Sequence, residues 1–348
     1  MRRPPSPPAG SMLYHAGMSA VPIVSPVSDS LPIAYSAVLR AAERIAPHAH
    51  RTPVLRSRGL DALSGATLSF KCENLQRAGA FKFRGACNAV WSLSETVAVR
   101  GVVTHSSGNH GAALALAAAT RGIPAHIVVP EDAVASKVAA IRAYGASVHF
   151  CEPTLAARDL EAARVSAETG ATMVHPFTNF DVIAGQGTAA KELLEEVGAL
   201  DALMVPVGGG GLVGGTAIAA RAMAPNLPLY AAEPEGAADA LESVQRGERV
   251  TDIVPKTICD GLRAGIGDIN FALIRHYGVT VLPVSDAEVI AAMRLIWERL
   301  KIVVESSSAT VLAAVLRHRT HFAGQRVGLV LTGGNVDLER LPWLPARA

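Results

Sequence analysis

From residue 31 onward, short unbroken apolar runs take turns with alanine-rich stretches, and no other feature of the chain constrains its fold as strongly. Val102-Val103-Thr104 precedes an Ala/Leu-rich run at 112–120. Ala125 to Pro130 precedes a helix-like 134–143, and Val148-His149-Phe150 precedes another at 155–168. Leu203 to Val207 leads through glycines into 212–223, Leu229 to Ala232 follows, and Val327 to Leu331 runs into Thr332-Gly333-Gly334. A half-exposed strand would alternate polar and apolar residues. Strands that are apolar throughout must be covered on both faces, which is the situation in parallel sheets flanked by helices. The expected class is therefore α/β, with open, doubly wound, mostly parallel sheets. The spacings vary too much for eight regular barrel units, and no repeat of fixed period is present. In such sheets ligands bind beyond the carboxyl ends of strands, so the strand-to-loop junctions carry the functional information.

Composition narrows the class of function. At 348 residues the chain is long enough for two domains, and half of it is hydrophobic with 18% charged, enough for a sizeable core. Lys and Arg total 32 against 30 acids, and aromatics are 5%. That excludes the basic stripe and stacking platforms of a nucleic-acid binder. The cysteines, Cys72, Cys87, Cys151 and Cys259, are far apart and form no CxxC pair, so neither a zinc site of that type nor a disulfide framework is expected, and a reducing cytoplasm fits best. Ala202 to Ala220 carries no charge but holds six glycines and a proline, which reads as strand, loop and helix start rather than a membrane span. The N-terminus runs from Met1-Arg2-Arg3 into Pro4, Pro5, Pro7 and Pro8 without the apolar segment of a secretory signal. Residues 1–30 are expected to form a flexible Pro-rich tail, with Met18 as an alternative start.

Four junctions could carry chemistry. Gly208-Gly209-Gly210-Gly211 follows a strand and opens a helix, so its backbone N–H groups can converge on a phosphate. The same stretch satisfies G-x-G-x-x-G through Gly209, Gly211 and Gly214, with Glu233 about 20 residues further on, so a nicotinamide-dinucleotide dehydrogenase is a rival reading. Lys82 sits between Phe81 and Phe83 with Gly79 and Gly85 around it, and desolvation there would favour the neutral amine that a Schiff-base nucleophile requires. His105-Ser106-Ser107-Gly108-Asn109-His110-Gly111 offers hydroxyls, an amide and helix N-terminal N–H groups suited to a carboxylate. No third His, Cys or acid accompanies His105 and His110 to complete a metal site. Finally, Thr332 stands at the end of the last strand, where a hydroxyl can bond a heterocycle nitrogen.

Together these segments resemble the fold-type II pyridoxal-phosphate enzymes, specifically the serine/threonine dehydratase and serine racemase group, over about residues 35 to 342. The runs that carry the resemblance are Glu73-Asn74-Leu75-Gln76 to Phe81-Lys82-Phe83-Arg84-Gly85-Ala86, Ser106 to Gly111, Ala184-Gly185-Gln186-Gly187-Thr188, and the glycine tetrad. A dehydrogenase explains only the last of these. The resemblance implies a tryptophan synthase β-like fold: a large cofactor-binding domain of 31–90 and 171–348, and a small domain of 91–170 that closes over the substrate. It implies pyridoxal 5'-phosphate joined to Lys82, which later moves protons at the substrate α-carbon. Asn109 would bond the cofactor's ring hydroxyl, Gly208, Gly209, Gly210 and Gly211 its phosphate, and Thr332 its pyridine nitrogen. Ser106, Ser107, Asn109 and His110 would receive the substrate carboxylate, and Ser107 matches the acid/base on the second face in racemases.

The implied reaction is dehydration of a 3-hydroxy amino acid such as L-threonine or L-serine to a keto acid and ammonia. Serine racemisation, or dehydration of 3-hydroxyaspartate or a phenylserine, is the alternative on the same scaffold. A homodimer is the family's usual form. A divalent cation, Mg2+, Ca2+ or Mn2+, is implied at Glu233, the Ala237 carbonyl and Asp239, a set of hard oxygen ligands. Three places depart from the family pattern: Phe177-Thr178-Asn179-Phe180 replaces acidic residues common in dehydratases, Glu305-Ser306-Ser307-Ser308-Ala309 replaces a version with proline and glycine, and Ala238 lacks an acid often seen beside the metal ligand. With the sequence given ending at 348, feedback control through an appended regulatory domain is not expected.

Overall fold

The computed structural model describes residues 33–344, so the expected tail over 1–30 and the alternative start at Met18 lie outside the described residues. Among the described residues the strands are β1 (Val54–Leu55), β2 (Thr67–Cys72), β3 (Val102–His105), β4 (Ala125–Pro130), β5 (Ser147–Cys151), β6 (Thr172–Met173), β7 (Ala202–Pro206), β8 (Leu229–Pro234), β9 (Thr280–Val284) and β10 (Arg326–Leu331). They form a six-stranded sheet in the order β1-β2-β10-β7-β8-β9 and a four-stranded sheet in the order β5-β4-β3-β6. Every pairing is parallel except β1 with β2. The α/β class and doubly wound organisation expected from the apolar runs are what the chain adopts.

Burial follows the physical argument. In β7 and β8 every residue is buried, and β10 is buried after its first residue. On one face of the larger sheet Phe70, Leu329 and Leu331 pack with Val311 and Leu312 of the helix Ser306–Arg317. On the other, Leu203, Val205 and Val330 pack with Ile183 and Leu193 of Phe180–Val197 and Ile218 of Gly211–Met223. Burying a Val, Leu or Ile side chain contributes about 1.5–3 kcal/mol, so these two layers dominate the stability of the sheet. Strand β6 pairs with β3 through Thr172 and Met173, so the four-stranded sheet draws its edge from just beyond the expected division at 170.

The Ala184–Thr188 run serves close packing. A Cβ on Gly185 would lie 2.7 Å from Arg84 O and from Gly85 Cα, so the helices Lys82–Ser92 and Phe180–Val197 touch backbone to backbone there. Side chains at either glycine would push the start of the Lys82 helix away from the helix Phe180–Val197.

Candidate active site

The helix that begins at Lys82 has no side-chain cap; its N-cap is Phe81. The chain reaches it through a tight turn in which Ala78 and Gly79 both take positive φ, 56° and 69°. Glycine suits 79 because its φ is positive, and a Cβ there would have to displace the Asn335 amide, whose Oδ1 would lie 2.4 Å away. The turn is stitched to the segment after β10: Ala80 bridges Gly333, Phe81 N donates to Thr332 O at 2.9 Å, and Gly334 N donates to Gly79 O at 2.9 Å. Lys82 and Thr332, 250 residues apart in sequence, are neighbours through this seam.

Lys82 Nζ donates to Pro176 O at 3.0 Å and lies 5.2 Å from the centre of the Phe81 ring. Burial of the amine lowers its pKa to about 8, opposed by the Glu305 carboxylate.

The glycine loop links β7 to the helix Gly211–Met223. Its four glycines are buried, and the N–H groups of Gly208, Gly209 and Gly210 have no hydrogen-bond partner among the described residues. Buried N–H groups without partners are costly unless a ligand takes them. Gly210 has φ of +87°, and a Cβ there would strike Ile266 Cδ1 at 2.4 Å. Asn270 Nδ2 pins the loop from outside by donating to Gly209 O at 2.7 Å and Phe177 O at 2.8 Å. The loop, at a helix N-terminus, fits a phosphate. Glu233 does not fit the rival ribose role: it is wholly buried, and its two oxygens accept from Ala240 N and Leu241 N, each at 2.9 Å.

The Ser106–Gly111 segment turns from β3 into the helix Asn109–Arg121. The hydroxyls of Ser106 and Ser107 have no protein partner among the described residues and are half-buried, which leaves them available to a ligand. Asn109 Nδ2 donates to Glu305 Oε1 at 2.9 Å and Oε2 at 3.2 Å, while Asn335 Nδ2 donates to Asn109 Oδ1 at 3.0 Å. The His110 ring has a partner of its own. Its Nε2 lies 3.1 Å from Val174 O and must donate to it, so Nδ1 is left without a proton and without a partner. Burial and the nearby Lys82 hold the imidazole neutral, well below its usual pKa. A neutral ring with its one N–H already used cannot grip a carboxylate; His110 can offer only its backbone N–H.

Three residues that sequence reasoning left without a role complete the site. Glu305 is 5% exposed and joined to Asn109; burial, then Asp260, pushes its pKa up to about 7, while the Asn109 N–H and Lys137 oppose the rise. Ser308 Oγ meets the Thr332 hydroxyl at 3.0 Å. Arg84, wholly buried two residues after Lys82, is gripped by Glu73 and Glu192. Their contacts with Glu192, Asn109 and Thr332 join residues far apart in sequence, so no local pattern predicts them.

The implied cation ligands lie where β8 gives way to the helix Asp239–Arg246. Glu233 and Asp239 are wholly buried, and neither forms an ion pair with a basic side chain among the described residues. Asp239 Oδ2 accepts from Ile266 N at 2.6 Å, but Oδ1 is buried without a partner. That orphaned oxygen fits a cation. No cluster of three or more His, Cys, Asp or Glu among the described residues could hold a metal ion, so an ion here would need backbone and water oxygens as well.

Comparison with known proteins agrees with the geometry. Residues 45–333 match the family model described as pyridoxal-phosphate dependent enzyme. The chain is 48% identical to a beta-hydroxyaspartate dehydratase of Paracoccus denitrificans (strain Pd 1222), over 89% of this chain and 98% of that one. Its fold superposes on maize serine racemase with a TM-score of 0.86 at 44% identity, covering 88% of this chain and 95% of that one. A T.th. threonine deaminase gives a TM-score of 0.83 at 41% identity, covering 88% and 99%. With a buried amine and a glycine anion cup on this fold, the chain belongs to the pyridoxal-phosphate-dependent enzymes of fold type II.

Proposed function

We propose that the protein removes water from a 3-hydroxy amino acid, giving a 2-keto acid and ammonia, with inversion of an amino acid such as serine as the second reading of the same centre. The observation that supports this best is the desolvated Lys82 amine on Pro176 O, next to Phe177, whose ring lies against Gly209 of the loop with open N–H groups. When bound, the cofactor supplies an electron sink for the pair left when the α-proton departs. Lys82 holds it covalently, the glycine loop takes its phosphate, Asn109 its ring hydroxyl and Thr332 its ring nitrogen. Ser106, Ser107 and the backbone at Asn109 and His110 hold the substrate carboxylate. Once the substrate's amine has taken its place, the freed Lys82 amine would take the α-proton, and its burial, which lowers the pKa to about 8, favours the neutral form this needs. The names of the relatives, a hydroxyaspartate dehydratase, a serine racemase and a threonine deaminase, share these reacting atoms and differ in the side chain beyond the β-carbon. The unit holding β3 to β6 closes over the substrate, a homodimer is the working form, and the reducing cytoplasm is the compartment.

The test is incubation with a panel of 3-hydroxy amino acids while keto acid, ammonia and enantiomer composition are followed together. Failure to form keto acid from any of them, with no inversion, would remove the proposal. Ser107→Ala separates the two readings. If the wild type inverts, Ser107 is the proton donor on the second face, and the change should abolish inversion while leaving elimination of one enantiomer measurable. If the wild type only dehydrates, the change should mainly raise KM. Equal loss of both activities in an inverting enzyme would count against the two-face role.

A divalent cation at Glu233, the Ala237 carbonyl and Asp239 belongs to the same reading, with magnesium, calcium and manganese as candidates. Its influence would run through Asp239 to Ile266, whose side chain packs on Gly210 of the anion cup. Chelation should lower the melting temperature and cofactor retention, and added cation should restore both; an ion at a hundredfold excess over its Kd stabilises the fold by about 2.7 kcal/mol. Asp239→Ala should reproduce the chelated state and ignore added cation. A wild type that keeps its melting temperature and cofactor after exhaustive chelation, with no metal by elemental analysis, would reduce the site to a buried acid pair.

A further inference from the structure

Away from the site described above, two histidines on neighbouring strands of the smaller sheet face each other. His126 stands near the start of β4, and His149 in the middle of β5, the edge strand. His149 is paired with Val128 in the β4–β5 register, and His126 precedes Val128 by two residues, so both rings leave the same face of the sheet. Val128 packs on that face against Ala162 and Val165 of the helix Leu155–Thr169. The two imidazoles are half-buried. His126 Nδ1 lies 3.1 Å from His149 Nε2, with ring centres 5.3 Å apart and planes inclined at 43°. Without an ion, one of these nitrogens must carry a proton and donate it to the other. A tetrahedral ion bound at about 2.0–2.1 Å to two ring nitrogens holds them about 3.3 Å apart, so the rings are already close to that spacing. On binding, the proton of the donor ring passes to its other nitrogen. Both rings stay neutral, which is the form that ligates a metal, and no proton is released.

We infer that His126 and His149 form a metal site for a borderline transition ion such as zinc, which ties the edge strand β5 to β4. Imidazole nitrogens suit zinc, copper or nickel and not the hard ions magnesium and calcium, so this site is distinct in chemistry from the oxygen set at Glu233 and Asp239. Water would complete the shell, because no group of three or more His, Cys, Asp or Glu among the described residues could hold a metal ion. Glu161, on the helix Leu155–Thr169, puts negative charge nearby: Arg164 holds its carboxyl below the usual range, burial opposes this, and His149 adds to it. Arg164 does not repel an ion with its full charge, since Glu161 and Glu168 each pair with it at 2.6 Å. A ligating histidine gains from a carboxylate that can take the proton on its other nitrogen, and Glu161 is placed to do this for His149.

The test titrates the full-length, cofactor-loaded protein, free of any affinity tag, with zinc chloride by calorimetry, in excess magnesium to keep the oxygen site out of the signal. The wild type should bind one zinc ion per chain. His126→Gln and His149→Gln each leave a single imidazole and should weaken binding by about tenfold or more. Hydrogen exchange supplies a second reading that does not depend on the variants: zinc should slow amide exchange in 125–130 and 147–151 of the wild type, and magnesium should not. A wild type that binds no zinc up to about 1 mM, or variants that bind it as the wild type does, would reduce the pair to a hydrogen bond. Should either variant fail to fold, zinc that leaves exchange in these two strands unchanged in the wild type would overturn the inference by itself.

Discussion

Lys82→Ala should yield a folded, colourless protein whose turnover is lower by about 10^3-fold or more, within the range seen when a positioned proton-transfer group is lost. Borohydride treatment of the wild type should fix the cofactor onto Lys82, and peptide mass mapping would show it; label on any other lysine would sink the assignment. The same substitution should stabilise the cofactor-free protein. Burial lowers the amine's pKa in the folded state from 10.5 to about 8, so the fold works against its charged form. The sign follows from proton counting. Below pH 8 the amine is charged folded and unfolded, and the full penalty stands, up to about 3 kcal/mol at 1.36 kcal/mol per unit. Between about 8 and 10.5 the unfolded chain binds the extra proton, so the penalty shrinks as pH rises, and above 10.5 it is gone. The melting temperature of Lys82→Ala should therefore exceed that of apo wild type at neutral pH, with the gap closing toward pH 10.5. A gap independent of pH would mean that the amine is not desolvated. Reconstitution should respond in the matching sense, its rate climbing as pH passes through about 8, because only the neutral amine attacks the cofactor.

The sequence made the site's main chain legible and left most of its side-chain support hidden. Apolar runs such as Leu203 to Val207 and Val327 to Leu331 name their strands because both faces are buried. Strand β2 escapes that pattern. Its Lys71 is wholly buried, yet reads as a surface residue until Glu192, 121 positions away, is seen to pair with it at 2.6 Å. Strand β9 is masked by Pro283, which is tolerated because β9 lies at the sheet edge. Lys82, Asn109 and the glycine tetrad were found through motifs whose local backbone is special. Glu305, Ser308 and Asn270 sit in ordinary helical or helix-start surroundings. For Glu305 and Ser308 the meaning comes from the insertion of β10 between β2 and β7, which brings Thr332 and Gly333 to them, and for Asn270 from the loop after β7, which accepts its amide through Gly209 O; no local rule encodes either meeting.

Arg84 carries the largest structural expectation. Its guanidinium is wholly buried and donates to Glu73 Oε2 at 2.7 Å and Oε1 at 2.8 Å, to Glu192 Oε1 at 2.7 Å and Oε2 at 2.8 Å, and to Thr188 Oγ1 at 3.1 Å. Lys71 shares Glu192, and Thr52 donates to Glu73 Oε1 at 2.5 Å. The network ties β2, the Lys82 helix and the helix Phe180–Val197 into one block. Replacing the whole set with apolar residues need not destabilise the fold, but removing one partner strands a buried charge, which costs about 3–5 kcal/mol. Arg84→Met keeps the volume and strips both carboxylates of their main partner, so the melting temperature should fall by roughly 10 °C. Burial tends to raise the pKa of Glu192, yet Arg84 and Lys71 hold it below its ordinary value. A carboxylate with a depressed folded pKa stabilises above its unfolded pKa and loses that contribution as pH falls through the folded one. Without Arg84 the depression should weaken, and the variant's deficit should be larger at neutral pH than in acid. The pairing also predicts non-additivity: Glu73→Leu added to Arg84→Met should cost less than the two changes separately, because the second removes the stranded charge left by the first. Strict additivity, or an Arg84→Met protein that melts with the wild type, would show that the network is not what holds the start of the Lys82 helix against the sheet.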